Sequence, residues 1–289
     1  MGYMRFWIVG KMGLVGSEMC KRLLREGLDF ISTSKEEANV LDLTQLRSWA
    51  KRTKPQYIVN CAALMRVDDA EKRQKQKAYE LNRDAVENLA TVAKEQRCRL
   101  IHISTDYVFS GEQKTPYAEE DPTSPINHYG KSKCAGEERL FSIYPDAVCV
   151  RTASLYGGTK MGLVSGMYRA LRFQKSSRAV MDQTSSPTYT KDLVDALFEV
   201  RDQTGIFHFV NGGSASRLDL LKELFRLAQH YEAPISCRKI VGITQSMSQR
   251  AATRPAHTVL DTTKIAPHLT RPIRPWKEAL LEYFREYIW

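Results

Sequence analysis

The run Phe6-Trp7-Ile8-Val9-Gly10-Lys11-Met12-Gly13-Leu14-Val15-Gly16 joins four apolar residues to three glycines spaced at intervals of three. A short strand that breaks into a glycine-rich turn and then into a helical pattern, Ser17–Glu26, is how a parallel α/β sheet begins. Glycines there let the backbone turn tightly and approach a diphosphate, whose charge is met by the free N–H groups of a helix N-terminus. The alternative for the same glycines is close packing of helix on strand.

Outward from this run, strand-like segments continue at Phe30–Ser32, Tyr57–Asn60, Leu100–Ser104 and Val148–Arg151. Helical patterns separate them: Gln45–Lys54, a long polar stretch from Asp68 to Lys94, and Tyr129–Ile143. The alternation predicts an α/β protein with a doubly wound parallel sheet (Rossmann) and a smaller C-terminal substrate lobe. Residues 1–152 are expected to form the nucleotide-binding domain, with 190–211 returning to it. Residues 153–189 and 212–289 are left for the lobe. Within it, Ser216 with Asp219 three residues on predicts a helix start ahead of Leu220–Tyr231, and Trp276–Tyr287 reads as a terminal amphipathic helix.

Composition narrows the function classes. With 289 residues, 43% hydrophobic and 26% charged, the chain is long enough for an enzyme-sized domain plus a lobe, and an ordered globular protein is expected. Apolar runs stay well short of the roughly 20 residues that cross a bilayer, so a soluble, cytoplasmic protein without membrane contact is expected. Six scattered cysteines read as reduced structural thiols, and neither they nor the six histidines assemble a metal site by spacing. The net charge of +10 suits anionic ligands or a solvated basic surface. Nucleic acid is not expected as a partner, since no binding motif interleaves the basic residues.

The second strand runs Phe30-Ile31-Ser32-Thr33-Ser34-Lys35, without the acid that binds the adenosine ribose of NAD. Hydroxyls and Lys35 can instead receive a 2′-phosphate, which favours NADPH while leaving NADH possible; the alternative is an exposed loop lysine. Asp42, followed by Leu43, is placed either to meet the adenine or to start the next helix. Asn60-Cys61-Ala62-Ala63 ends the third strand in small residues, as backbone close under a cofactor requires. The expected cofactor contacts are thus Gly10, Met12, Gly13, Leu14, Val15, Lys35, Asp42, Leu43, Cys61, Ala62 and Ala63, joined by Tyr129 and Lys133.

Tyr129 and Lys133 stand four apart on one helix face, and Ser104-Thr105-Asp106-Tyr107 closes the fourth strand at the edge where open α/β sheets bind ligands. Ketone reduction needs a proton for the developing alkoxide, and an ordinary tyrosine, with a pKa of about 10, is a poor match for neutral pH. Lowering it by roughly 3 units requires about 4 kcal/mol, which one ammonium about 4 Å away at an effective dielectric near 20 supplies. Lys133 is expected to act in this way, and also to hold the nicotinamide ribose, while Thr105 orients the carbonyl oxygen.

At these residues the chain resembles the dTDP-4-dehydrorhamnose reductases, which are extended short-chain dehydrogenases. The resemblance runs over nearly the whole length. It takes in Val67-Asp68, Glu71 and Asn82, then Ser104 to Gly111, Tyr117, Glu120 and Pro125 ahead of Tyr129 and Lys133. Later it includes Asp182-Gln183, Ser186-Pro187-Thr188, Asn211-Gly212-Gly213, Arg254-Pro255, Leu260-Asp261 and Trp276-Lys277-Glu278-Ala279-Leu280. It implies that Thr105, Tyr129 and Lys133 carry catalysis. It further implies that Asp106 and Tyr107 border a keto-sugar and that Arg254 lies near the nucleotide, unless that arginine merely bonds loop carbonyls.

The implied substrate is a nucleotide sugar and the implied reaction reduction of its 4-keto group; a homodimer is compatible with it. Ser154 departs from the family, which often has an aromatic there, and Thr159-Lys160-Met161-Gly162 replaces an Asn-Phe pair. Tyr156, Met161 or Tyr168 are candidates to fill the gap. The same blocks are similar to the NADP-binding regulatory β subunit of methionine adenosyltransferase and, more weakly, to nucleotide-sugar epimerases.

Overall fold

Strand β1 (Arg5–Val9) sends Trp7 and Val9 into one apolar layer and Phe6 and Ile8 into the other. Successive side chains of a strand point to opposite faces, so a run that is apolar at every position belongs in the middle of a sheet covered on both sides. Fully burying side chains of this size contributes roughly 1.5–3 kcal/mol each. The structure, a computed structural model, describes residues 5–158 and 162–289.

The chain continues through α1 (Leu14–Arg25), β2 (Asp29–Thr33), α2 (Leu43–Thr53), β3 (Tyr57–Asn60), α3 (Val67–Lys72), α4 (Lys75–Tyr79) and α5 (Ala85–Gln96). It then forms β4 (Arg99–Thr105), α6 (His128–Ile143) and β5 (Val148–Thr152). Next come β6 (Leu155–Tyr156), α7 (Leu163–Phe173), β7 (Ser176–Val180), β8 (Thr184–Ser185), β9 (Thr188–Tyr189), α8 (Thr190–Glu199) and β10 (Gly205–His208). The last elements are β11 (Ala215–Ser216), α9 (Arg217–His230), β12 (Lys239–Ile243), β13 (His257–Thr258) and α10 (Trp276–Tyr287).

Six parallel strands form the main sheet in the order β10-β5-β4-β3-β1-β2, which is the doubly wound arrangement the alternation implied. Helices α1 and α8 cover one face through Val15, Met19, Leu23, Leu193, Val194 and Leu197. Helices α2, α5 and α6 cover the other through Leu46, Ala50, Val86, Leu89, Ala93 and Leu140. The winding reverses between β1 and β3, and that switch point opens the groove where open α/β sheets bind ligands.

A separate apolar cluster, built from α7, α9, α10 and the short strands, packs beyond the sheet and includes Val164, Leu171, Leu224, Leu280 and Phe284. Ser216 caps α9 in a reciprocal box: its Oγ accepts the Asp219 N–H at 3.1 Å, and Asp219 Oδ2 accepts the Ser216 N–H at 3.0 Å. The helix therefore begins at Arg217, three residues before the apolar pattern suggests.

The polar stretch from Asp68 to Lys94 is not one helix. It breaks at Arg73–Gln74, where both N–H groups turn onto the Asp69 carbonyl, and passes through a π-helical turn at Glu80–Asp84 before α5. Among the described residues no helix is long and apolar enough to cross a membrane.

Candidate active site

At the switch point the backbone of β1 turns beneath that of β3. Gly10 has φ +86°, and a Cβ on it would lie 2.9 Å from the Ala62 nitrogen, so both its conformation and its contact require glycine. The Gly10 and Lys11 N–H groups donate to Thr33 O at 2.9 and 3.1 Å, which ties the loop to the end of β2. The first backbone bond of α1 is Ser17 N–H to Gly13 O, so the N–H groups of Leu14, Val15 and Gly16 lie ahead of the intrahelical ladder. These features fit a dinucleotide diphosphate.

The adenosine end differs from the sequence reading in two ways. The Lys35 side chain is largely exposed and lies 3.7 Å from Glu36, whereas Lys11, which that reading passed over, donates to Glu37 Oε1 at 2.8 Å. Glu37 also accepts the Ser34 N–H at 2.7 Å, so an acid does stand near the end of β2, neutralised by the glycine loop's own lysine. Asp42 caps α2, taking the Gln45 N–H at 2.9 Å; of its two proposed roles, the helix start is the one the contacts realise. Leu43 opens that helix and packs on the main core, while Met12 is exposed at the loop tip.

Thr105 ends β4 and Tyr129 lies in the first turn of α6. Their approach depends on Gly130, since a Cβ there would fall 2.1 Å from Tyr107 O; only glycine lets α6 lie directly on the turn that follows β4. Asn127 caps the helix through the Gly130 N–H at 2.8 Å. Thr105 Oγ1 donates to Asp106 Oδ1 at 3.0 Å, and the Tyr129 and Tyr107 rings meet edge-on with centroids 5.9 Å apart.

Burial pushes the Tyr129 phenol well above its ordinary value, a hydrogen bond with Thr105 opposes this, and Asp106 and Tyr107 add to it. The sequence reading expected Lys133 to lower this phenol, and here it does not. Lys133 Nζ donates instead to Ile103 O at 2.6 Å and lies 3.3 Å from His102 Nε2, and burial pushes its own pKa down to about 8.

On the far side of Tyr129 the lobe closes over the sheet. Thr258 of β13 donates to Asp106 Oδ2, and burial still raises that carboxyl to about 6 against the pull of Thr258, Thr105 and Arg217. Arg254 makes a bidentate pair with Asp68 at 2.7 and 2.6 Å and also bonds Ala252 O and Tyr107, so it clamps its loop and stands beside Tyr107. Arg217 Nη1 is buried without a hydrogen-bond partner. Arg250 is pushed down by partial burial and by the charges of Arg254 and Arg217. Three guanidinium groups thus converge beside Tyr107.

Ser154 has φ +47° and its Oγ lies 2.6 Å from Ser185 Oγ. Tyr156 does not fill the place of the missing aromatic, because it is buried and stacked on Tyr189 in the lobe core. Tyr168 is held at Pro234 O and packs edge-on against Phe284. Thr159, Lys160 and Met161 lie outside the described residues.

The sequence matches the family described as RmlD substrate binding domain over residues 4–288. It is 36% identical over 289 residues to a probable dTDP-4,6-dihydroxy-2-methyloxan-3-one 4-ketoreductase of Streptomyces antibioticus, spanning 99% of this chain and 96% of that one. To the dTDP-4-dehydrorhamnose reductase of Mycolicibacterium smegmatis it is 34% identical over 281 residues, spanning 96% and 84%. The chain belongs to the dTDP-4-dehydrorhamnose reductase family. Among solved members, that of Bacillus anthracis in complex with NADP superposes with a TM-score of 0.93 at 28% identity, covering 99% of this chain and 100% of that one.

Membership makes the chain an NAD(P)H-dependent oxidoreductase and favours reduction over the regulatory-subunit and epimerase alternatives. Within this reductase, sequence reasoning passed over Lys11, His102, Arg217 and Arg250. Lys11 carried a signal, a cation directly after the first glycine. The other three carried none, since each becomes a site residue only through elements distant in the chain.

Proposed function

We propose that this reductase takes a reducing equivalent from NADPH, with NADH as a weaker alternative, to reduce the 4-keto group of a dTDP-linked deoxysugar. The observation that carries the reading is the contact of Thr105 with Tyr129 at the carboxyl end of β4, one helical turn before the buried Lys133. When bound, the nicotinamide supplies the hydride. Tyr129 donates the proton to the developing alkoxide, and Thr105 holds the oxygen that receives it. Asp106 and Tyr107 border the sugar.

The converging arginines, one with a buried unpartnered nitrogen, suit a doubly charged diphosphate. The relatives' names supply the sugar class. Oxidation of NADPH followed at 340 nm with dTDP-4-dehydrorhamnose tests the reading: turnover dependent on the keto-sugar is expected, and cofactor binding with no turnover on any dTDP-4-keto-sugar overturns it.

A further inference from the structure

Beneath Lys133 lies a buried chain of polar side chains that the reaction as described leaves without a role. Asn60 ends β3 and His102 stands opposite it in β4, and both are almost fully buried. Asn60 Oδ1 accepts the Ala62 N–H at 3.1 Å, so its amide nitrogen is the atom that faces His102 Nδ1, also at 3.1 Å. An amide NH₂ only donates. His102 Nδ1 must therefore carry the lone pair, and a neutral imidazole in that state carries its proton on Nε2. That N–H points at Lys133 Nζ, 3.3 Å away, while Nζ already donates to Ile103 O. Facing an ammonium, it is a clash of two donors; facing an uncharged amine, it is a hydrogen bond.

We propose that Asn60 and His102 form a positioning pair that sets the charge balance of the catalytic lysine, biasing Lys133 toward the uncharged amine under the cofactor floor until a competing acceptor draws it out as an ammonium. The other groups around Lys133 are accounted for. From β5, Cys149 faces it with a thiol pushed up by burial. From α6, Glu137 faces it, but its carboxylate is bound bidentately by Arg151 at 3.0 and 2.7 Å. Burial keeps His102 itself well below the usual imidazole range, in agreement with the neutral ring that the hydrogen bonds require.

The role rests on reading Lys133 as catalytic, and the tests separate the two. In the free ¹⁵N-labelled protein, long-range ¹H–¹⁵N spectra of the histidine rings, with His102 assigned by its loss in His102→Gln, are expected to show a neutral ring protonated at Nε2 from pH 6 to 9. A ring protonated at Nδ1, or at both nitrogens, overturns the proposal. With ¹³Cε-labelled lysine, the resonance that Lys133→Met removes is expected to titrate near pH 8.

Asn60→Asp accepts rather than donates at Nδ1, so it should flip the tautomer and raise the Lys133 midpoint by about one unit or more. In a His102→Gln background the same change should raise it less, because no ring remains to flip. Equal shifts in the two backgrounds, or an unmoved midpoint with only lowered stability, refute the device. Should Asn60→Asp not fold, the wild-type tautomer and the His102→Gln midpoint still decide. Turnover that survives Lys133→Met removes the catalytic reading while leaving the tautomer result standing.

Discussion

At the cofactor end of the groove the groups offered to a ligand are mostly backbone: the N–H groups of Leu14, Val15 and Gly16 and the close-packed turn at Gly10 against Ala62. At the substrate end they are long side chains from segments far apart in the chain, Arg217 at the start of α9 with Arg250 and Arg254 in the loop before β13. Main-chain geometry is fixed by a few consecutive residues and tolerates changes around it. A cluster of like-charged side chains depends on separate partners for each member: Asp68 binds Arg254 through two hydrogen bonds, while Arg217 Nη1 is buried without one. The first end is therefore suited to one invariant ligand, and the second can change specificity.

The largest expected effect tests whether the two ends meet at Tyr129. Tyr129→Phe should lower kcat by roughly 100-fold or more, the usual scale for loss of a general acid, with the Kd for NADPH nearly unchanged. A variant with wild-type kcat removes the phenol from the reaction.

Next, Arg217→Ala should weaken the nucleotide sugar without touching the cofactor. A hydrogen bond to a charged group is worth about 1.5–3 kcal/mol, so KM should rise by roughly 10- to 150-fold. Equal losses for sugar nucleotide and NADPH would break the division between the two ends.

Asp106 shows the substrate end costing stability. Its carboxyl is raised from 3.8 to about 6, so the folded state holds the proton more tightly than the unfolded one. The penalty is absent below about pH 4, grows between pH 4 and 6, and is constant above that. At about 1.4 kcal/mol per unit, Asp106→Asn should stabilise the protein by up to about 3 kcal/mol at pH 8 and by little at pH 4, while impairing turnover. Denaturant midpoints at the two pH values check it; a stabilisation that is the same at both values assigns the effect to packing.

A smaller effect is expected from Glu37→Gln, which releases Lys11. The preference for NADPH over NADH in paired titrations should rise by roughly two- to fivefold, the range of a single surface ion pair. A fall would mean that Glu37 itself helps to bind the phosphate end.

The smallest change sharpens the substrate end. An aromatic face contributes about 1–3 kcal/mol to nucleotide contacts, but Ser154 occupies left-handed backbone, where a bulky side chain is strained by a similar amount. Calorimetry with dTDP should therefore show Ser154→Trp improving a weak wild-type affinity by no more than about fivefold. Tight wild-type binding, unaffected or worsened by tryptophan, would mean that the missing aromatic has no consequence.

What the sequence by itself determined is local in origin. Four apolar residues running into spaced glycines dictate a buried strand and a tight turn, and alternating periods of two and 3.6 dictate the doubly wound sheet. The spacing of Tyr129 and Lys133 puts both on one helix face, and Ser216 with Asp219 closes a capping box within four residues. Tertiary structure alone decided the rest. Only the sheet brings Asn60 and His102 side by side under Lys133, and only the return of the lobe brings Arg217, Arg250 and Thr258 to Tyr107 and Asp106. The short strands β7 and β12, 63 residues apart in register, exist only as each other's partner. The charge state of Lys133 belongs with these, because burial and hydrogen-bond partners set it, and neither is a property of neighbouring residues in the chain.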